Sequence, residues 1–457
     1  MNRFSILKQV KALFLTSILA ACGFPEAEAQ DPTPKVCLAL SGGGARGSAH
    51  IGVLKVFERE RLPIDCIAGT SFGALVGGLF AIGYSAAEIE SLIMGQDWNS
   101  IFSDAPQRRL TPLNERVDAR YQAQLSFPGW NPELPTGLLK GQRLRELLDI
   151  LTSEPMLRAQ YDFDNLPVQF QAVATNLTDG KAYVFRKGSM SEALRASMAI
   201  PMLFTPLEKE DALLVDGGLA NNLPTDVAQA MGADIIIAVD AASPLLRKDE
   251  IRTFINVIDQ SLSLRTEENS EHNRKLASIL LKPELEPFTS NNYEMIPAII
   301  SRGEEEANRR LVELKALFAG IPPRVPRALQ KSGMPAIESL SFRGLKKIKA
   351  EQVKANLRVR AGDAVSPAAI GADVGRLYAT RWFDSVGYAL EPVGGNRYRL
   401  VFIMEEAPLH TLGLSLRYDT DYGFVALAEF TARHLFDSPS KATVSSQFGG
   451  LQSHWAA

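Results

Sequence analysis

The chain has 457 residues, with 49 Lys and Arg against 52 Asp and Glu for a formal charge of −3, and 46% of its residues are apolar. That is ordinary globular composition with room for about three domains of about 150 residues each. A charge so close to neutrality argues against a protein that holds nucleic acid by neutralising phosphates.

Arg3, Lys8 and Lys11 precede an apolar run over residues 12–22. The run is shorter than the about 20 residues a membrane helix requires and has the layout of a secretory signal peptide, with Ala27-Glu28-Ala29 as a small-residue cleavage site. Residues 1–29 are therefore expected to be a signal peptide, and the protein to be exported. The alternative processing point is Leu19-Ala20-Ala21-Cys22, which resembles a lipoprotein site with Cys22 as the acylated residue. Cys37 and Cys66 fall in short apolar runs that read as buried strands, where a thiol behaves as a small hydrophobe. Their sequence leaves a disulfide open and makes no zinc-type spacing.

Residues 36–40 form the first strand pattern, residues 48–61 a helix and residues 64–68 a second strand. A glycine-rich helix over 72–82 follows, then strands at 168–174 and 212–215, a helix at 225–231 and a strand at 235–239. Strands alternating with helices predict a mostly parallel sheet covered on both faces, a three-layer α/β/α fold. Residues 96–135 carry Trp98, Phe102, Tyr121, Phe127 and Trp130 without clean period. They read either as a lid or pocket wall, or as a surface excursion packed by its own aromatics. Residues 250–318 look mainly helical.

A proline-rich linker over 321–337 separates this module from a smaller one at 338–407, which reads as strand, helix, helix, strand, strand with a Gly394-Gly395-Asn396 hairpin turn. From residue 409 the pattern becomes alternating, with Leu412, Leu414, Leu416 and Tyr418 on one face. A turn at 419–423 and strand patterns at 424–433 and 442–448 follow. Strands of about ten residues with period two suit a membrane barrel, of which residues 409–457 would supply only about three strands, against about eight in the smallest such barrels. After residue 448 the sequence loses its strand character, as a fragment or frameshift would.

Two glycine-flanked turns carry the chemistry. Gly42-Gly43-Gly44-Ala45-Arg46-Gly47 lies between the first strand and its helix. Its backbone N–H groups suit either a dinucleotide phosphate or the oxyanion of an acyl-transfer intermediate. The dinucleotide reading wants an acid at the end of the second strand, about 20 residues on, whereas Asp65 lies at its beginning. The second strand runs into Gly69-Thr70-Ser71-Phe72-Gly73 and a helix, the context of a nucleophile elbow. For the base, His410, His434 and His454 lie in the tail. His50 reads as a helix-start residue, and His272 sits in a polar run. Asp216, followed by Gly217 and Gly218, and Asp240 stand at strand ends, where open α/β sheets place their sites.

The glycine loop, the Ser71 elbow and Asp216-Gly217-Gly218, in this order, resemble the patatin-like lipid acyl hydrolases. Ser197-Met198-Ala199-Ile200-Pro201 is similar to the segment that family carries before its aspartate. The resemblance covers residues 35–320. It implies a Ser-Asp dyad with Ser71 as nucleophile and Asp216 as base, and Gly42, Gly43 and Gly44 as oxyanion donors. Arg46, Gly47, Gly69, Gly73, Gly217 and Gly218 would support them, and no metal or organic cofactor is implied. Arg46 would either pair with a lipid phosphate or form a structural ion pair. The substrate class is a phospholipid or other acyl ester at a membrane surface. Residues 338–407 resemble a POTRA domain and the tail the first strands of an outer-membrane barrel, the series found in patatin-type autotransporters of Gram-negative envelopes. That resemblance implies a periplasmic, outer-membrane or cell-surface location and the outer-membrane assembly machinery as a partner. The other classes are a catalytically idle lipid-binding or assembly component, and a peptidase-like acyl transferase.

Overall fold

A computed structural model describes residues 33–112, 123–127, 136–252, 254–324, 327–329, 333–419, 423–433, 440–449 and 454–456. The expected signal peptide, including Cys22, and the aromatics Tyr121 and Trp130 lie outside these residues.

The central sheet has eight strands. In chain order its elements are β1 (Val36–Leu40), α1 (Ala49–Arg59), β2 (Cys66–Thr70), α2 (Phe72–Ala81), α3 (Gln142–Arg158), β3 (Gln169–Asn176), β4 (Ala182–Phe185), α4 (Met190–Ser197), β5 (Leu207–Lys209), β6 (Ala212–Asp216), β7 (Ile235–Val239) and β8 (Ile279–Leu281). The strand order is β8-β7-β1-β2-β3-β6-β5, with β4 paired to β3. The first five run parallel, and β4, β6 and β5 add antiparallel pairings. Every residue of β1 and β2 is buried, because helices cover both faces. Phe57 of α1, Phe72 and Leu75 of α2 and Phe170 of β3 are fully enclosed there. Each such side chain contributes about 1.5–3 kcal/mol on removal from water. Cys37 and Cys66 stand directly opposite on β1 and β2 and are joined as a disulfide.

The helix Ile296–Arg309 packs on α1 with almost no spacing, since a Cβ on Gly52 or Gly303 would strike the other helix's backbone. This contact ties the segment ahead of that helix to the glycine loop ahead of α1.

The C-terminal module follows the expected order. Strands Ala336–Arg343, Phe383–Gly394 and Arg397–Glu406 form one sheet with helices Ala350–Ala355 and Pro367–Ala379. Its first strand begins at Ala336, inside the stretch read as linker, and Arg324 of that stretch is paired with Asp65 at 2.8 Å. Gly394 opposes Arg397, so the turn is Gly395-Asn396, with φ of 60° and 56°, the left-handed pair a two-residue hairpin favours. The module docks on α3. Gln142 exchanges two hydrogen bonds with the backbone of Val386, at 2.9 and 3.0 Å, and Tyr388 meets Ser153 at 2.7 Å.

The tail forms a separate antiparallel sheet of His410–Asp419, Gly423–Arg433, Lys441–Gly449 and His454–Ala456. Two findings differ from expectation. Residues 454–456 form a strand where the sequence loses its pattern, and the sheet's fifth strand is Ala123–Phe127, which pairs with residues 410–414. The excursion at 96–135 is thus divided: Trp98 and Phe102 stay at the α/β domain, and Phe127 leaves for the tail.

Candidate active site

β2 ends at Thr70 and α2 begins at Phe72, so Ser71 must turn the chain within one residue. Its φ of 52° and ψ of −124° place it in a conformation that L-residues hold only when the surroundings impose it. Gly69 makes room, because a Cβ there would stand 2.7 Å from the Ala74 Cα. The Ser71 N–H is fixed by donation to the Ser197 Oγ at 2.8 Å, and Ser197 donates in turn to the Val173 carbonyl at 2.5 Å. The hydroxyl lies at the start of α2, where the helix dipole favours negative charge.

Asp216 ends β6. Its backbone N–H donates to the Ala199 carbonyl, and that of Gly217 to the Ser197 carbonyl. The segment beginning Ser197-Met198-Ala199 therefore braces both the serine and the aspartate. Thr175 donates to the Asp216 carbonyl at 2.8 Å. The two side chains then meet: Ser71 Oγ donates to Asp216 Oδ2 at 2.7 Å, and the Gly218 N–H donates to Oδ1 at 2.8 Å. Burial pushes the carboxyl from 3.8 up to about 6, against the opposing pull of the Gly218 and Ser71 hydrogen bonds. Desolvation penalises the charged form more than those two donors support it.

The glycine loop borders the same cleft of about 180 Å³, with Ser71, Asp216, Ile200, Asn222 and Tyr293 among its walls. A Cβ on Gly42 would approach Asn222 Oδ1 to 2.6 Å and the Ser71 Cβ to 3.0 Å. Gly44 has φ of 55°. The Gly42 N–H is already used, donating to the Asn222 carbonyl at 3.2 Å, which removes it from the expected trio of oxyanion donors. Gly43 and Gly44 head the short helix Gly44–Ser48, and first-turn N–H groups have no intrahelical acceptors. Both line the cleft.

Arg46 is held by backbone carbonyls. It is 6% exposed, and its guanidinium donates to the carbonyls of Ala241, Ala242, Leu285 and Phe288 at 2.8–3.3 Å. It ties the glycine loop to the segment after β7 and to residues 285–288.

The competing bases are placed elsewhere. His272 is exposed on the helix Phe254–Arg274. Asp240 is occupied by Arg274 at 2.8 Å and by the Ala242 N–H at 3.1 Å. His50 is buried in the first turn of α1, its Nε2 donating to the Ser41 carbonyl at 2.8 Å, and desolvation lowers it to about 4, so it is neutral. Asp65 caps the Val36 N–H at 2.8 Å.

Sequence reasoning missed Tyr293, which lines the cleft from residues read only as helical. Its ring stacks on Trp98 with centroids 5.1 Å apart and contacts Phe102 and Phe72 at 5.1 and 6.4 Å. The Trp98 and Phe102 end of the excursion thus packs behind Tyr293. The cluster of Ser290, Asn291 and Asn292 before a helix was the available signal for a turn, but nothing local marked the tyrosine that follows.

The domain is thus a parallel-cored α/β sheet with a strained serine at the turn after β2 and an aspartate at the end of β6, the next strand but one. Residues 38–228 match the model of the patatin-like phospholipase family. Patatin-like phospholipase domain-containing protein 6 of Homo sapiens is 31% identical over 210 residues, 46% of this chain and 13% of that protein. An uncharacterized NTE family protein of Mycobacterium bovis is 32% identical over 207 residues, 45% of this chain and 49% of that protein. The matched segment thus spans from about an eighth to about half of these relatives' length. The crystal structure of VipD from Legionella pneumophila aligns with a TM-score of 0.35 and 16% identity, over 62% of this chain and 67% of that one.

Proposed function

We propose that the protein is a serine lipid acyl hydrolase of the phospholipase A or esterase type, working with a Ser71-Asp216 dyad and exported to the cell envelope. The observation that carries this reading is the 2.7 Å hydrogen bond from Ser71 to Asp216 beside the glycine loop. Ser71 Oγ attacks the ester carbonyl as its proton passes to Asp216 Oδ2. The N–H groups of Gly43 and Gly44 receive the oxyanion, and collapse expels the alkoxide, which takes the proton back from Asp216. Water then repeats the sequence on the acyl-enzyme. A base held at about 6 is better matched to neutral pH than an ordinary carboxylate. A fluorophosphonate probe followed by peptide mapping should label Ser71 in the folded protein and fail on Ser71→Ala. Absence of label on the folded wild type would sink the enzyme reading in favour of an idle lipid-binding component.

Export draws support from the Cys37–Cys66 disulfide, since such bonds persist in oxidising compartments. The tail supports a membrane location in the envelope, with residues 338–407 as a POTRA-like module and 409–457 as barrel strands. Leu414, Leu416, Tyr418, Phe424, Phe430, Val444 and Phe448 are all exposed, and cross-strand register places them on one face, Tyr418 opposite Phe424 and Phe430 opposite Val444. The other face carries Thr411, Ser415, Thr431 and Thr443. Apolar-out alternation is the lipid-facing pattern of barrel strands, where Arg at the bilayer midplane costs about 2–4 kcal/mol. Leu416→Arg should therefore reduce flotation with phosphatidylethanolamine–phosphatidylglycerol vesicles at least about tenfold, whereas Ser445→Arg on the other face should not. Equal flotation of both variants would remove this face from the membrane.

A further inference from the structure

We propose that the Tyr293 hydroxyl donates a hydrogen bond to the leaving-group oxygen of the ester, tuning the site to alkyl esters such as those of glycerol. This rests on the hydrolase reading above. After Ser71 attacks, its proton lies on Asp216 and must reach the departing oxygen, so that oxygen comes to lie beside Asp216. Tyr293 lines the same cleft as Ser71 and Asp216. Burial first, and the Asp216 charge second, raise the tyrosine hydroxyl above its ordinary range. The group is thus a neutral donor throughout the working pH range.

Its position is fixed from several sides. The ring is held among Trp98, Phe102 and Phe72. The turn before it is closed by Thr289, whose N–H and Oγ1 donate to Asn292 Oδ1 at 2.8 and 2.9 Å. The Ala45 N–H donates to the Ser290 carbonyl at 2.8 Å, and Arg46 clamps residues 285 and 288. Glycine loop and tyrosine are therefore one rigid wall, with Arg46 as a positioning residue. The balance of the step is simple: the acyl C–O bond breaks, the proton on Asp216 moves to the departing oxygen, and Tyr293 keeps its own proton while stabilising the charge that develops there.

A good leaving group needs no such help, which gives the test. Wild type and Tyr293→Phe are compared on tributyrin and p-nitrophenyl butyrate, which deliver the same acyl group, using kcat/KM because it reports the acylation step. A hydrogen bond to a developing charge corresponds to about 10- to 100-fold, so Tyr293→Phe should lose that factor on tributyrin and stay within about twofold on the p-nitrophenyl ester. Phenylalanine keeps the ring stack, and an unchanged melting temperature confirms it. Equal losses on both esters, or none on either, would overturn the inference. So would Tyr293→Leu losing activity on both esters alike while Tyr293→Phe is unchanged, for then only the ring matters. A wild type inactive on both esters and unlabelled at Ser71 overturns the hydrolase reading and takes this inference with it, whereas a labelled, active wild type confines any failure to Tyr293.

Discussion

Asp216→Asn will lower kcat/KM for butyrate esters by about 10²- to 10⁴-fold, the range for removal of a general base, while the fold persists. The amide keeps the size of the carboxylate and an oxygen for the Gly218 N–H, now 2.8 Å from Oδ1. What it cannot do is take the Ser71 proton. His272→Ala, on an exposed residue of the helix Phe254–Arg274, should stay within about twofold of wild type. The pair of variants separates a dyad from a triad in one assay: loss in His272→Ala with turnover retained in Asp216→Asn would reverse the assignment of the base. Circular dichroism of both variants checks that the comparison is between folded proteins.

The sheet and both catalytic turns were legible because each is a local pattern. Strands buried on two faces must be continuously apolar, which 36–40 and 235–239 display, and a glycine-flanked serine at a strand end marks a tight turn. The same locality explains what stayed hidden. Ala123–Phe127 finds its partner at residues 410–414, and period-two alternation says which face a strand buries but not which distant strand it joins. Gly42 looked equivalent to Gly43 and Gly44 because donor count can be read from sequence, whereas the competing Asn222 carbonyl enters only when the residues after β6 fold back. The partners of Arg46 were hidden for a related reason. Its charge suggested an anionic partner, yet four carbonyls from two separate segments satisfy it. Backbone acceptors carry no signature in side-chain sequence.

The pH profile gives a second large effect, and its sign follows from the environment of Asp216. Burial raises this carboxyl from 3.8 to about 6, and only the ionised form can accept the Ser71 proton. kcat/KM should be flat above about pH 7, fall tenfold per unit below about 6, and reach about one hundredth of its plateau near pH 4. An unshifted carboxylate would hold the plateau down to about pH 4, so the position of the break measures the desolvation directly. The same shift bears on stability with the opposite sign from a salt-bridged acid. The folded state binds this proton more tightly than the unfolded one, so the penalty of burying the charge is absent below about pH 4 and complete above about 6. Asp216→Asn removes that charge. Its melting temperature should therefore exceed the wild type's at pH 8, with the difference closing as the pH falls through 6 to 4. A break near pH 4 in the activity profile, together with a melting difference that does not depend on pH, would mean that the cleft leaves Asp216 solvated and that its basicity is not tuned by burial.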